Sequence, residues 1–92
     1  MVSLPLARIQ GKMQELKNWA LEGDSIVKEY SFSSFKEAID FINKIALIAE
    51  QKDHHPSILL DDNNIVRLSL TTHSEQGLTE KDFELAALID AP

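Results

Sequence analysis

The sequence predicts an α+β fold: one four-stranded antiparallel sheet with helices packed on a face. Three observations carry this expectation. The segment "SSFKEAIDFINKIALIAEQK", Ser33 to Lys52, repeats apolar residues at helical spacing behind a capping signal. Two turn signals, Gly23-Asp24 and Asp61-Asp62-Asn63-Asn64, each separate a pair of short strand-like runs. A further helical pattern stands at either end of the chain. The order is therefore helix, strand, strand, helix, strand, strand, helix, and hairpins favour antiparallel pairing.

The elements follow in turn. Leu6, Ile9, Met13 and Leu16 recur at helical spacing, so roughly Pro5–Asn18 is expected to be a helix. Ser3 is its expected N-cap, Pro5 suits a first turn, and Gly11 weakens the pattern a little. "WALE" and "SIVKEYSF" flank the first turn; Ile26, Tyr30 and Phe32 share one strand face, which Lys28 interrupts. In the long central helix, Ser34 can accept from the first-turn amides while Glu37 reaches back. Phe35, Ala38, Ile39, Ile42, Ile45, Ala46 and Ala49 form one stripe, and Phe41 and Ile48 widen it to roughly half the circumference. So wide a stripe can serve a sheet on one side and a partner helix on the other. Glu50 stands at its edge. The helix must release before Pro56, because the residue before a proline avoids helical geometry.

"SILLD" and "NIVRLSLTTH" then predict a hairpin across Asp61–Asn64. In the second strand Val66, Leu68 and Leu70 share one face; Arg67, Ser69, Thr71 and His73 share the other. "SEQGL" is expected to be a loop. Thr79-Glu80-Lys81-Asp82 opens the last helix with a capping threonine and first-turn acids.

Composition narrows the function classes. Ninety-two residues with 43% apolar content fit one domain over 1–92, with a thin core that makes homo-oligomerisation a reasonable expectation. There is no cysteine, which excludes disulfides, thiolate metal sites and cysteine nucleophiles and suits a reducing compartment. No signal peptide or membrane span is evident, so a cytoplasmic location is expected. Nine Lys and Arg against fifteen Asp and Glu give a net charge of -6, which argues against direct nucleic-acid binding.

All three histidines lie in one stretch, Glu50 to His73. A histidine is more often a surface or hydrogen-bonded residue than a catalyst. A metal site is weakly indicated, since adjacent His54 and His55 rarely aim both rings at one ion and helical ligand spacings are absent. Acid–base chemistry is the third reading, because histidine donates and accepts protons near neutral pH. The hairpin between His55 and His73 could bring the three together.

The residues resemble the pterin-4a-carbinolamine dehydratase family. Its signature is a charged residue, three residues, His-His-Pro, a short gap, an aromatic, nine residues, a His and a later Asp. Glu50, His54-His55-Pro56, His73 and Asp82 fill those places, and the resemblance runs from about Trp19 to Asp90. Asn63 stands where the family has the aromatic. The resemblance implies removal of water from 4a-hydroxytetrahydrobiopterin to give quinonoid dihydropterin, with no metal or cofactor. By position, His54 and His73 would carry protons and His55 would hold the substrate. Glu50 and Asp53 would orient rings or contact the pterin, and Thr71 and Thr72 would offer hydrogen bonds. Asp82 would join them unless its place in the last helix is purely structural. Family members also form dimers through sheet edges and tetramers through the long helices, here the 35–49 face. The alternative expectation is a non-enzymatic regulator or assembly factor on the same fold, using the sheet or helix face for a protein partner.

Overall fold

The computed structural model describes residues 3–91. It has the expected order of elements: α1 (Leu6–Met13), β1 (Ala20–Glu22), β2 (Ser25–Ser31), α2 (Phe35–Lys52), β3 (Ser57–Asp61), β4 (Ile65–Leu70) and α3 (Glu80–Asp90), with a 3₁₀ turn at His73–Glu75. The four strands form one sheet in the order β1-β2-β4-β3, with every neighbouring pair antiparallel.

Both hairpins arise at the expected turns. Glu22 pairs with Ser25, leaving Gly23-Asp24 as a two-residue turn. Gly23 takes φ 58, the positive value that such turns require at a central position. At the second hairpin Asp61 pairs with Ile65, so the loop is Asp62-Asn63-Asn64, one residue shorter than expected. Asp62 and Asn63 take φ 52 and 67, which Asp and Asn tolerate better than other side chains.

β4 alternates as its sequence requires: Val66, Leu68 and Leu70 are fully buried, while Arg67 and Ser69 on the other face are half-buried. The buried face joins Ile26, Ala38, Ile45, Phe83, Leu85, Ala86 and Ile89 in a single core cluster. Each large aliphatic side chain so buried contributes roughly 1.5–3 kcal/mol of transfer free energy.

Two helix starts differ in detail from expectation. α1 begins after Pro5, which is extended at ψ 157 and offers no side-chain cap. Ser3 lies two residues outside, where Leu4 N–H donates to the Leu78 carbonyl at 2.7 Å. That close approach explains Gly77, since a Cβ there would meet the Ser3 Cβ at 3.1 Å. α1 also stops at Met13 instead of Asn18. Glu15 and Leu16 bond to the carbonyls three residues back, and this tightening ends the α-helix. At α2, Ser34 Oγ accepts from Glu37 N–H at 3.1 Å, but the Glu37 carboxylate returns to Ser33, to its N–H at 3.0 Å and to its hydroxyl. The reciprocal bond lands one residue outside the cap.

Lys28, an interruption in the strand pattern, has a partner. Its Nζ lies 3.0 Å from Asp90 Oδ2 and donates to the Lys17 carbonyl. Asp90 also accepts from Trp19 Nε1 at 2.8 Å and Tyr30 OH at 2.6 Å, so the end of α3 is clasped to β2 and to the residue before β1. Burial, then the Asp90 hydrogen bond and charge, push the Tyr30 phenol well above its ordinary range. Burial alone would raise Asp90; the bonds from Tyr30, Trp19 and Lys28 outweigh it and hold the carboxyl low.

No helix among the described residues is long and apolar enough to cross a membrane.

Candidate active site

Strand register assembles the site. Ser57 at the start of β3 pairs with Ser69 near the end of β4. The chain leaving α2 therefore runs beside the chain leaving β4, which places His54-His55-Pro56 next to Thr71-Thr72-His73.

α2 ends in a Schellman-type cap. Asp53 takes the left-handed conformation at φ 52, its N–H donates to the Glu50 carbonyl, and the His54 N–H donates to Ala49 at 3.1 Å. This turn leads His54 out of the helix and toward α3. There His54 Nε2 lies 2.6 Å from Asp82 Oδ1. The Asp82 side chain is fully buried, and its second oxygen accepts from Thr72 Oγ1 at 2.8 Å and from the Thr79 N–H at 3.0 Å. Thr72 Oγ1 is in turn 2.8 Å from Thr79 Oγ1. Asp82 thus serves two purposes at once: it completes the cap of α3, and it holds the ring of His54. A carboxylate facing Nε2 assigns the proton there and leaves Nδ1 as the open nitrogen.

His55 is exposed and turns back on the last turn of α2, its Nε2 2.5 Å from Glu50 Oε2. His73 is exposed too, but it does not continue β4 as expected. The strand ends at Leu70, Thr72 bridges to Gly77, and His73 opens the 3₁₀ turn within that tight loop. The Thr71 hydroxyl donates to the Asp24 carbonyl at 2.6 Å, tying the site to the first hairpin.

One open cleft of about 280 Å³ is lined by Asp53, His54, His55, Thr71, Thr72, His73, Ser74 and Lys81. Of the eight residues expected from sequence, six line it; Glu50 and Asp82 do not, the first holding His55 at the rim and the second lying buried and holding His54 from behind.

Ser74 and Lys81 also line the cleft, and Thr79 supports it; sequence reasoning had assigned none of them to the site. Lys81 carried a signal, because a cation in the first turn opposes the helix dipole. Asn63 sits at the tip of the β3–β4 hairpin, at the far end of β4 from Thr71, roughly 25 Å away at about 3.3 Å per strand residue. A ring at that position would not wall this cleft within one protomer. Among the described residues no group of three or more His, Asp or Glu side chains is placed to share a metal ion.

Fold and site together define a small α+β protein whose three histidines meet where the exit of α2 passes the end of β4. The chain belongs to the pterin 4 alpha carbinolamine dehydratase family, whose model matches residues 3–92. It is 43% identical over 82 residues to a protein of Sulfolobus acidocaldarius, covering 89% of each chain. It is 44% identical over 90 residues to one of Chloroflexus aurantiacus, covering 98% of this chain and 96% of that one. Both carry the name "Putative pterin-4-alpha-carbinolamine dehydratase". Among solved structures, a transcriptional coactivator/pterin dehydratase from Brucella melitensis superposes with a TM-score of 0.89 at 32% identity, covering 96% of this chain and 95% of that one. A pterin dehydratase-like protein described as a RuBisCO assembly factor in the alpha-carboxysome shares the fold, with a TM-score of 0.65 at 21% identity over 82% of this chain and 86% of that one.

Proposed function

We propose that this protein dehydrates a 4a-hydroxytetrahydropterin by histidine acid–base catalysis, in the recycling of tetrahydrobiopterin. The observation that carries the proposal is the His54–Asp82 pair at 2.6 Å, opening on a cleft that His55 and His73 also line. In the reaction an acid protonates the 4a hydroxyl as its C–O bond breaks. The lone pair of the adjacent ring nitrogen forms the new C=N bond, and a base removes the proton from that nitrogen. Water and quinonoid dihydropterin result.

His54 suits the base. Asp82 fixes its tautomer, leaves Nδ1 to accept the proton, and offers a counter-charge when the ring carries two. His73, unpaired among the described residues, is the acid that meets the departing hydroxyl. His55, turned by Glu50, holds the pterin, and Asp53 contacts it from the helix cap. Thr72 acts through Asp82, and Thr71 through the backbone it anchors. Replacing His54 or His73 by Ala is expected to slow dehydration about 10²–10⁴-fold with the fold intact. Unchanged turnover in both variants, with no shift in melting temperature on adding a pterin analogue, would favour a non-enzymatic regulator or assembly factor instead.

The protein is also proposed to be a cytoplasmic homo-oligomer. β3 is an edge strand with Leu59 55% exposed, and Phe35 on α2 is 54% exposed. A free strand edge beside uncovered apolar side chains invites a second copy. Light scattering is expected to give a dimer or tetramer mass, and a strictly monomeric solution would remove this part of the proposal.

A further inference from the structure

Most cations of this chain are engaged. Arg8, Lys12, Lys28, Lys36 and Arg67 form ion pairs, and Lys44 reaches the Ala91 carbonyl. Among the described residues, the side chains of Lys17, Lys52 and Lys81 have no such partner. Two of those three meet at one place. Lys52, His54 and Lys81 line a second, smaller cleft of about 150 Å³, which shares His54 and Lys81 with the acid–base cleft.

Helix physics accounts for one of these lysines and not for the other. Lys52 is in the last turn of α2, where a cation suits the dipole. Lys81 is the second residue of α3, where a cation is disfavoured, and nothing in the cap uses its side chain. Breaks in local preference of this kind concentrate where a side chain serves a ligand. The chain carries a net charge of -6, so a cationic spot beside the acid–base cleft is a local arrangement and does not follow from composition. Its opposing charges are few: Glu84 on the wall of the smaller cleft and Asp53 in the larger one.

We infer that Lys81 and Lys52 bind an anionic group carried by the substrate, so that a pterin with a side chain ending in a phosphate or a carboxylate is preferred over biopterin, whose side chain is neutral; this keeps the dehydration proposed above and changes the pterin. The inference rests on the dehydratase reading above. With the ring held among the histidines, a side chain passing Lys81 enters the smaller cleft, where the two ammonium groups flank it. Both anions would accept charge-assisted hydrogen bonds there.

The test compares three 4a-hydroxytetrahydropterins: one with a neutral side chain, one with a carboxylate and one with a phosphate. The wild-type protein is expected to favour the anionic pair in kcat/KM by about five- to tenfold, as two exposed ion pairs allow, and to lose part of that preference as salt is raised. The doubly substituted Lys52→Gln/Lys81→Gln protein is expected to lose the preference, and Lys52→Arg/Lys81→Arg to keep it. Carboxylate and phosphate substrates run separately reveal which anion fits. Binding of stable dihydropterin analogues with the same three side chains is measured in parallel. Lysine-dependent preference in binding without any turnover would sustain the anion site and overturn the dehydratase reading. Turnover of the neutral substrate with a side-chain preference absent, or indifferent to both lysines, would overturn the anion site alone. A drop in melting temperature in the Gln variant with normal binding preference would likewise overturn it, since the lysines would then be structural.

Discussion

α3 carries an aspartate near each end, and the two are bound alike but placed to different effect. Asp82 accepts from His54, Thr72 and the Thr79 N–H. Asp90 accepts from Trp19, Lys28 and Tyr30. Three donors each would suggest two equivalent struts. The difference lies in the donors and in the dipole. At the N-terminus a carboxylate is favoured, and one donor of Asp82 is the His54 ring, which borders a cleft. At the C-terminus a carboxylate is disfavoured, and the Lys28 ammonium offsets that cost; none of the donors of Asp90 lines the histidine cleft. The same hydrogen-bond count therefore sets a histidine–carboxylate pair beside a cleft at one end, the pair proposed above to handle protons, and a clasp at the other.

The sharpest way to break this contrast is to replace each aspartate by asparagine. Asp82→Asn removes the charge that fixes His54, since an amide can present its NH₂ to the ring and reverse the tautomer. Dehydration is expected to fall about 10²–10⁴-fold, a larger loss than the cost to stability of about 1–3 kcal/mol. Asp90→Asn is expected to cost a similar 1–3 kcal/mol, a drop of roughly 4–20 °C in melting temperature, with turnover within about twofold of wild type. Steady-state kinetics and thermal unfolding on both variants decide it. Equal losses of activity at equal losses of stability would make Asp82 a second clasp.

What the sequence disclosed follows the same division. Elements specified locally were legible: Gly23 in its turn, the Ser34 cap, the alternation of Val66, Leu68 and Leu70. The histidine cluster was legible as well, because one hairpin register suffices to join His55 and His73. The end of α1 was not, since it is set by three-residue-back bonds that no glycine or proline announces. Whether Asp82 joins the site was left open by its sufficiency as a cap; its bond to His54 spans 28 residues and depends on how α2 and α3 pack. Asp90 was invisible for a stronger version of that reason. Its partners Trp19 and Tyr30 lie 71 and 60 residues away, and Lys28, seen along one strand, looked like a break in the pattern.

The smallest expected effect is in acid, and it tests the clasp by itself. Asp90 is held below its ordinary 3.8, with burial opposing and the Tyr30, Trp19 and Lys28 bonds prevailing. A carboxyl whose folded pKa is depressed contributes stability that is complete above 3.8 and is lost as pH falls through the lowered folded value. The melting temperature of wild type should therefore decline below about pH 4, and the gap between wild type and Asp90→Asn should narrow over that range. Glu37 is lowered as well, by its bonds from Ser33, so the acid decline of wild type alone would mix two groups. The difference between the two proteins removes Glu37, which both retain. Tyr30 provides the converse at the alkaline end: its pKa is raised, by burial first and then by Asp90, so its contribution holds below 10.0 and is lost as pH climbs beyond. A gap between wild type and Asp90→Asn that stays constant from pH 7 down to pH 2 would mean that the clasp owes nothing to the Asp90 charge, and that its hydrogen bonds alone secure the end of α3.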